Sequence, residues 1–273
     1  MTPATKVGFV CIALWLAGCV THDVADRISA AERIAYDRGF TKTEIHTDRF
    51  DLIAFVGPRK TSRTLHVYIE GDGFAWATRR EPSRNPTPID PVGLKLAVLD
   101  ENETVYLARP CQYVTTPANG CDQRYWTSAR FAAEVIGAMD EAVSHLKRQS
   151  GSEELLLIGY SGGGTIAALL AARRHDVAGL VTVAGNLDHK AWARLHAVPE
   201  LRGSLNPPDY PRLAEIPQTH FVGASDDIVP LDVYRSYRKS FPDGANISVN
   251  IVSGADHTCC WDSFWPRLLK TLR

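Results

Sequence analysis

Residues 155–175, LLLIGYSGGGTIAALLAARRH, change periodicity abruptly at a serine set among glycines. Residues 155–158 are continuously apolar, the pattern of a strand buried on both faces. After Gly164, the positions Ile166, Ala167, Leu169, Leu170 and Ala171 follow helical spacing. A buried strand running straight into a buried helix needs further strands beside it and further helices over it. The segment therefore commits the chain to layered α/β architecture, with Ser161 at a corner.

The rest of the chain supplies those partners. Residues 50–56, 65–70, 104–108, 179–184, 220–223 and 247–252 are short β-branched or apolar runs bounded by Gly, Pro, Asp or Asn. Helical patterns occupy 92–99, 128–148, 231–241 and 264–272. This alternation predicts a mostly parallel central sheet with helices on both faces. Residues 81–91 and 198–217 are long irregular insertions, of the kind that shape the mouth of a site in α/β enzymes. With 273 residues, 45% apolar content and a formal charge of -1, the chain can bury a large core and carries no basic footprint for nucleic acid.

Gly159-Tyr160-Ser161-Gly162-Gly163 matches Gly-x-Ser-x-Gly between a strand and a helix, the setting that lifts a strained nucleophile clear of a sheet. By this motif, the order of its elements and two later motifs, the chain beyond Phe50 resembles the α/β-hydrolase family. The resemblance implies a serine, acid and histidine in that chain order. A serine hydroxyl needs a base to take its proton, and the base needs an acid to hold its tautomer. Gly223-Ala224-Ser225-Asp226-Asp227-Ile228-Val229-Pro230 is similar to the family's acid loop and selects Asp226, with Asp227 its neighbouring rival. Ser253-Gly254-Ala255-Asp256-His257 resembles the turn that delivers the base, His257. Glu70-Gly71-Asp72-Gly73 stands where the family has its His-Gly loop, with Glu70 in place of the commoner histidine. The implied oxyanion hole is the backbone amides of Asp72 and Gly162.

The first residues form a separate unit. Lys6, an apolar run over 7–17 and Leu16-Ala17-Gly18-Cys19 read as a cleaved export signal of residues 1–18. The ending resembles the lipobox of bacterial lipoproteins, which implies lipidation of Cys19 and a membrane anchor. Val20 after the cysteine resembles lipoproteins sent to an outer membrane, where the cell has one. A linker and N-terminal helix over 19–45 then lead to the hydrolase domain, 46–273. In an oxidising compartment Cys111, Cys121, Cys259 and Cys260 allow three pairings. Cys111 with Cys121 is the simplest, contributing roughly 2.5–3 kcal/mol by loop entropy. Adjacent Cys259 and Cys260 would close a strained ring, which keeps a link from one of them to the Cys111 loop open.

His257 beside two cysteines offers metal ligands without CxxC spacing, and the expectation is no metal and no cofactor. Asp188 is expected to cap the helix that begins at His189, and His175, His189, His196 and His220 to be structural or on the surface. Arg109 and Tyr113 either line the pocket or brace the disulfide loop. Trp76, Trp126, Trp192 and Trp261 are candidates for an apolar wall, with interior packing the alternative for each. The resulting expectation is an envelope serine esterase acting on a small-molecule or lipid acyl substrate through an acyl-enzyme. A thioesterase, peptidase or acyltransferase on the same residues, or a binding lipoprotein without catalysis, are its alternatives, since fold alone names no substrate.

Overall fold

The computed structural model describes residues 23–115 and 120–272; residues 1–18, read as an export signal, and Cys19 lie outside the described residues. Its sheet has eight strands: β1 (Thr41–His46), β2 (Asp51–Val56), β3 (Thr64–Ile69), β4 (Thr104–Leu107), β5 (Glu154–Tyr160), β6 (Val177–Val183), β7 (Gln218–Gly223) and β8 (Ile247–Val252). Their order is β1-β2-β4-β3-β5-β6-β7-β8. Strands β3 to β8 are parallel, while β2 runs antiparallel to both of its neighbours.

Side-chain alternation along the central strands divides the core in two. Leu155 and Leu157 of β5, with Leu65, Val67 and Ile69 of β3, join α3 (Ala133–Ser150) and α4 (Gly162–Arg173) on one face. Ile158, Tyr160 and Tyr68 join α1 (Val24–Tyr36), α2 (Val92–Ala97) and α7 (Trp261–Leu269) on the other. Every residue of α4 from Gly162 to Ala172 is buried, so it lies inside the molecule; α3 is amphipathic and ends at Gly151, whose left-handed φ of 74° lets its N–H cap Lys147 O. Two shorter helices, α5 (His189–Leu195) and α6 (Leu231–Arg238), follow β6 and β7.

Three elements differ from the sequence reading. β1 (TKTEIH) lies, but for His46, within residues 19–45, the segment read as linker and helix, yet it pairs with β2 along its whole length. It is an edge strand burying only Ile45, so it lacks the apolar run that marks its neighbours. α1 is more than a surface helix, because Ile28, Ala31 and Ala35 enter the core. α3 starts at Ala133 rather than 128; Arg130 therefore lies in the turn before the helix.

His220 on β7 is a structural histidine, as expected. Fully buried, it accepts from Thr182 Oγ1 at 2.8 Å through Nδ1 and donates from Nε2 to Gln218 Oε1 at 3.0 Å. Burial pushes its pKa down to about 3. Above pH about 6.5 the ring is neutral in both folded and unfolded chains, and stability does not depend on it. Below that the unfolded chain binds a proton which the folded protein refuses until pH about 3, so this residue removes roughly 1.4 kcal/mol of stability per pH unit. His220→Asn, which titrates in neither state, should flatten the fall in urea midpoint between pH about 6.5 and 4.5. An unchanged slope would contradict this.

Candidate active site

The site begins with backbone geometry at the end of β5. Ser161 adopts φ 50°, ψ -120°, a region that costs a residue with a Cβ about 1–3 kcal/mol. Three hydrogen bonds hold it there: Ser161 N donates to Val183 O at 3.0 Å, and Ser161 O accepts from Gly164 N at 2.9 Å and Asn186 N at 3.0 Å. Close packing also explains the glycines. A Cβ on Gly163 would lie 2.2 Å from Ile69 O, so only glycine lets α4 start against the end of β3.

The elbow meets two loops from distant parts of the chain. Ser161 Oγ lies 3.0 Å from His257 Nε2, and His257 Nδ1 lies 2.9 Å from Asp226 Oδ2. A carboxylate only accepts, so Nδ1 carries the proton and Nε2 presents its lone pair to the serine hydroxyl. Asp226 has a fully buried side chain, and its other oxygen accepts from Ile228 N at 3.0 Å and Val229 N at 2.7 Å. Its rival Asp227 is exposed and makes no such contact.

His257 is held from behind. Tyr160 Oη donates to His257 O at 3.0 Å, Trp261 Nε1 donates to Asp256 O and His257 O, and the Tyr160 ring lies 5.6 Å from the imidazole. Asp256 Oδ1 closes the turn by accepting from Thr258 N and Cys259 N, and these bonds lower its carboxyl pKa. The Tyr160 support does not follow from local sequence, since Tyr160 and His257 stand 97 positions apart.

The Glu70–Gly73 loop abuts the same corner, since a Cβ on Gly71 would lie 3.3 Å from Ser161 Cβ. The amides of Asp72 and Gly162 have no acceptor among the described residues, the condition required of oxyanion donors. Glu70 is buried and accepts from Gly71 N at 2.9 Å, Gly93 N at 3.3 Å and Tyr106 Oη at 3.0 Å. Burial pushes its carboxyl pKa up despite those bonds, and in this chain it anchors the loop to α2 and β4. The Asp72 side chain makes ion pairs with Arg109 and Arg130. Burial alone would raise its pKa, but the two guanidiniums outweigh it and hold the carboxyl below the usual range.

The serine and imidazole open onto a cavity of about 410 Å³ whose apolar wall includes Phe74, Trp76, Ile89, Trp192 and Ile228. Two of the four candidate tryptophans thus line it. Trp261 instead supports His257, and Trp126 packs beside the disulfide and donates to Ser83 O. Arg109 and Tyr113 are buried braces outside the wall, Tyr113 sharing a hydroxyl contact of 3.0 Å with Tyr106. Asp188 caps α5 by accepting from Ala191 N at 3.0 Å. His196 and His189 bond backbone carbonyls, and His175 bonds Arg212. Cys111 is bridged to Cys121 with the Cα atoms 5.7 Å apart, and Cys259 to Cys260; with Cys111 so engaged, the cross-link between the two regions does not form.

No family model matches the chain, and no curated protein matches it by sequence. Solved structures do. The chain is similar to an esterase from Pyrococcus furiosus, with TM-score 0.60 and 14% identity, covering 86% of this chain and 91% of that one. An alpha-beta serine hydrolase homologue from Coxiella burnetii gives TM-score 0.57 and 17% identity over 85% of this chain and 95% of its own. A putative alpha/beta hydrolase from Agrobacterium tumefaciens gives TM-score 0.59 and 14% identity over 85% and 94%. Strand order and these likenesses together define the α/β-hydrolase fold.

Proposed function

We propose that this chain is a serine hydrolase that cleaves carboxylic esters through an acyl-enzyme at the cell envelope. The observation that carries the reading is the unbroken relay from Ser161 Oγ through His257 to Asp226, at 3.0 and 2.9 Å, opening onto an apolar cavity. Ser161 attacks the acyl carbonyl while His257 Nε2 takes its proton. The carbonyl oxygen becomes an anion facing the amides of Asp72 and Gly162, and loss of one such donor typically costs about 3–4 kcal/mol of transition-state stabilisation. His257 then gives the proton to the leaving alcohol, and water repeats the cycle to release the acid. Asp226 fixes the imidazole and stabilises its charged form.

Esters are favoured because the wall around the serine is apolar and because an esterase is among the structures sharing the fold. The envelope location rests on the lipobox-like Leu16-Ala17-Gly18-Cys19, with Cys19 as the lipidated residue. Among the described residues no helix is long and apolar enough to cross a membrane, and an anchor at Cys19 needs none.

A fluorophosphonate probe should label the wild-type protein, and p-nitrophenyl esters of increasing acyl length should be hydrolysed with a rate that tracks the labelled fraction. Folded protein that takes no label and turns over no ester would overturn the reading. Labelling without ester turnover would move the scissile bond to a thioester or amide.

A further inference from the structure

Ester chemistry alone does not account for one group in the cavity wall. Arg130 is 5% exposed and lies in the turn before α3, yet it forms part of the same wall as Ser161 and His257. Its Nε donates to Thr127 O at 2.8 Å and its Nη1 to Asp72, whereas Nη2 has no acceptor among the described residues. The guanidinium lies 6.0 Å from the ring of Trp192, one of the apolar groups of the wall.

Its carboxylate partner is not its own. Asp72 is shared between Arg109 and Arg130, which leaves the trio with one net positive charge. Arg109 donates through Nη1 to Asp72 and through Nη2, at 2.5 Å, to Arg130 O, and it does not reach the cavity wall. The other carboxyls of the wall make no contact with Arg130: Asp90 pairs with Lys95, and Glu70, whose charged form burial disfavours, takes the amides of Gly71 and Gly93 and the Tyr106 hydroxyl. Arg130 thus presents a nitrogen without a partner to a pocket whose wall also holds aromatic and aliphatic groups. A buried cation of this kind gains most from an anionic oxygen that shares its low-dielectric surroundings. One guanidinium with one free nitrogen suits a monoanion better than a dianion.

We propose that Arg130 binds a monoanionic oxygen group, a carboxylate or phosphodiester, on the substrate whose acyl group is transferred to Ser161. The site then selects esters that combine an apolar portion with one negative charge. This rests on the hydrolase reading above, but its test can be separated from that reading.

Ser161→Ala protein, which cannot form the acyl-enzyme, serves as the binding host. It is titrated with p-nitrophenyl hydrogen glutarate, with the uncharged methyl ester of that compound, and with dibutyl against tributyl phosphate. At least one monoanion should bind roughly 10-fold or more tighter than its neutral partner, and the pair that shows the preference identifies the group. The preference should vanish in Ser161→Ala/Arg130→Gln and survive in part in Ser161→Ala/Arg130→Lys. Equal binding of both monoanions and their neutral partners to Ser161→Ala, or a preference that persists in a folded Arg130→Gln protein, overturns the proposal. Should Arg130→Gln fail to fold, salt decides: a preference present at about 20 mM and reduced at about 500 mM supports the contact, and one indifferent to salt refutes it. Wild-type protein that hydrolyses neither ester while Ser161→Ala keeps the monoanion preference would sink the hydrolase reading and sustain the Arg130 contact. Turnover through Ser161 with no preference would do the reverse.

Discussion

Ser161→Ala should lower kcat by about 10⁴- to 10⁶-fold with little change in KM, and should abolish fluorophosphonate labelling. Serine, imidazole and carboxylate act as one relay, so deleting the hydroxyl removes the acyl-enzyme route as a whole. Only the residual acceleration from substrate positioning and oxyanion donors remains. The backbone supplies a second readout. At φ 50°, ψ -120° any residue with a Cβ is strained, and alanine keeps the Cβ that glycine lacks. Ser161→Ala should therefore unfold at nearly the wild-type urea midpoint, while Ser161→Gly, equally inactive, should gain on the order of 1 kcal/mol. Turnover above about one-tenth of wild type in Ser161→Ala would place the nucleophile elsewhere.

Asp226→Asn should reduce kcat by about 10⁴-fold while leaving KM nearly unchanged. The amides of Ile228 and Val229 both donate to Oδ1, and an amide N–H needs an acceptor. The asparagine must therefore keep its carbonyl oxygen on them and turn its NH₂ toward His257. Facing a donor, Nδ1 becomes an acceptor and the ring proton moves to Nε2, where it blocks proton transfer from Ser161. Asp227→Asn, one position along on an exposed side chain, is the control and should change kcat by less than about twofold. Equal losses in the two variants would mean the loop matters for folding rather than for orienting the base.

Much of the fold could be read from residue pattern because burial leaves its mark locally. β5 and β6 are apolar runs since both of their faces are covered, and α4 is apolar almost all round for the same reason. β1 escaped notice because an edge strand with one buried residue carries no such run. In the candidate site, Ser161, Asp226 and His257 could each be found from a short motif, and the hydrogen bonds then place all three in one relay. Arg130 left no local mark. Its carboxylate partner lies 58 positions away, and its turn reads as the first part of a helix.

By itself the sequence determined the layered α/β architecture and which serine stands at a strand-to-helix corner, because periodicity and glycine placement are properties of neighbouring residues. Only the tertiary structure decided which of two adjacent aspartates faces the imidazole, that Tyr160 and Trp261 hold it from behind, and that two arginines balance Asp72 with one charge to spare. Those outcomes depend on distances between groups that are mostly tens of residues apart, which the sheet fixes only once its strands are in register.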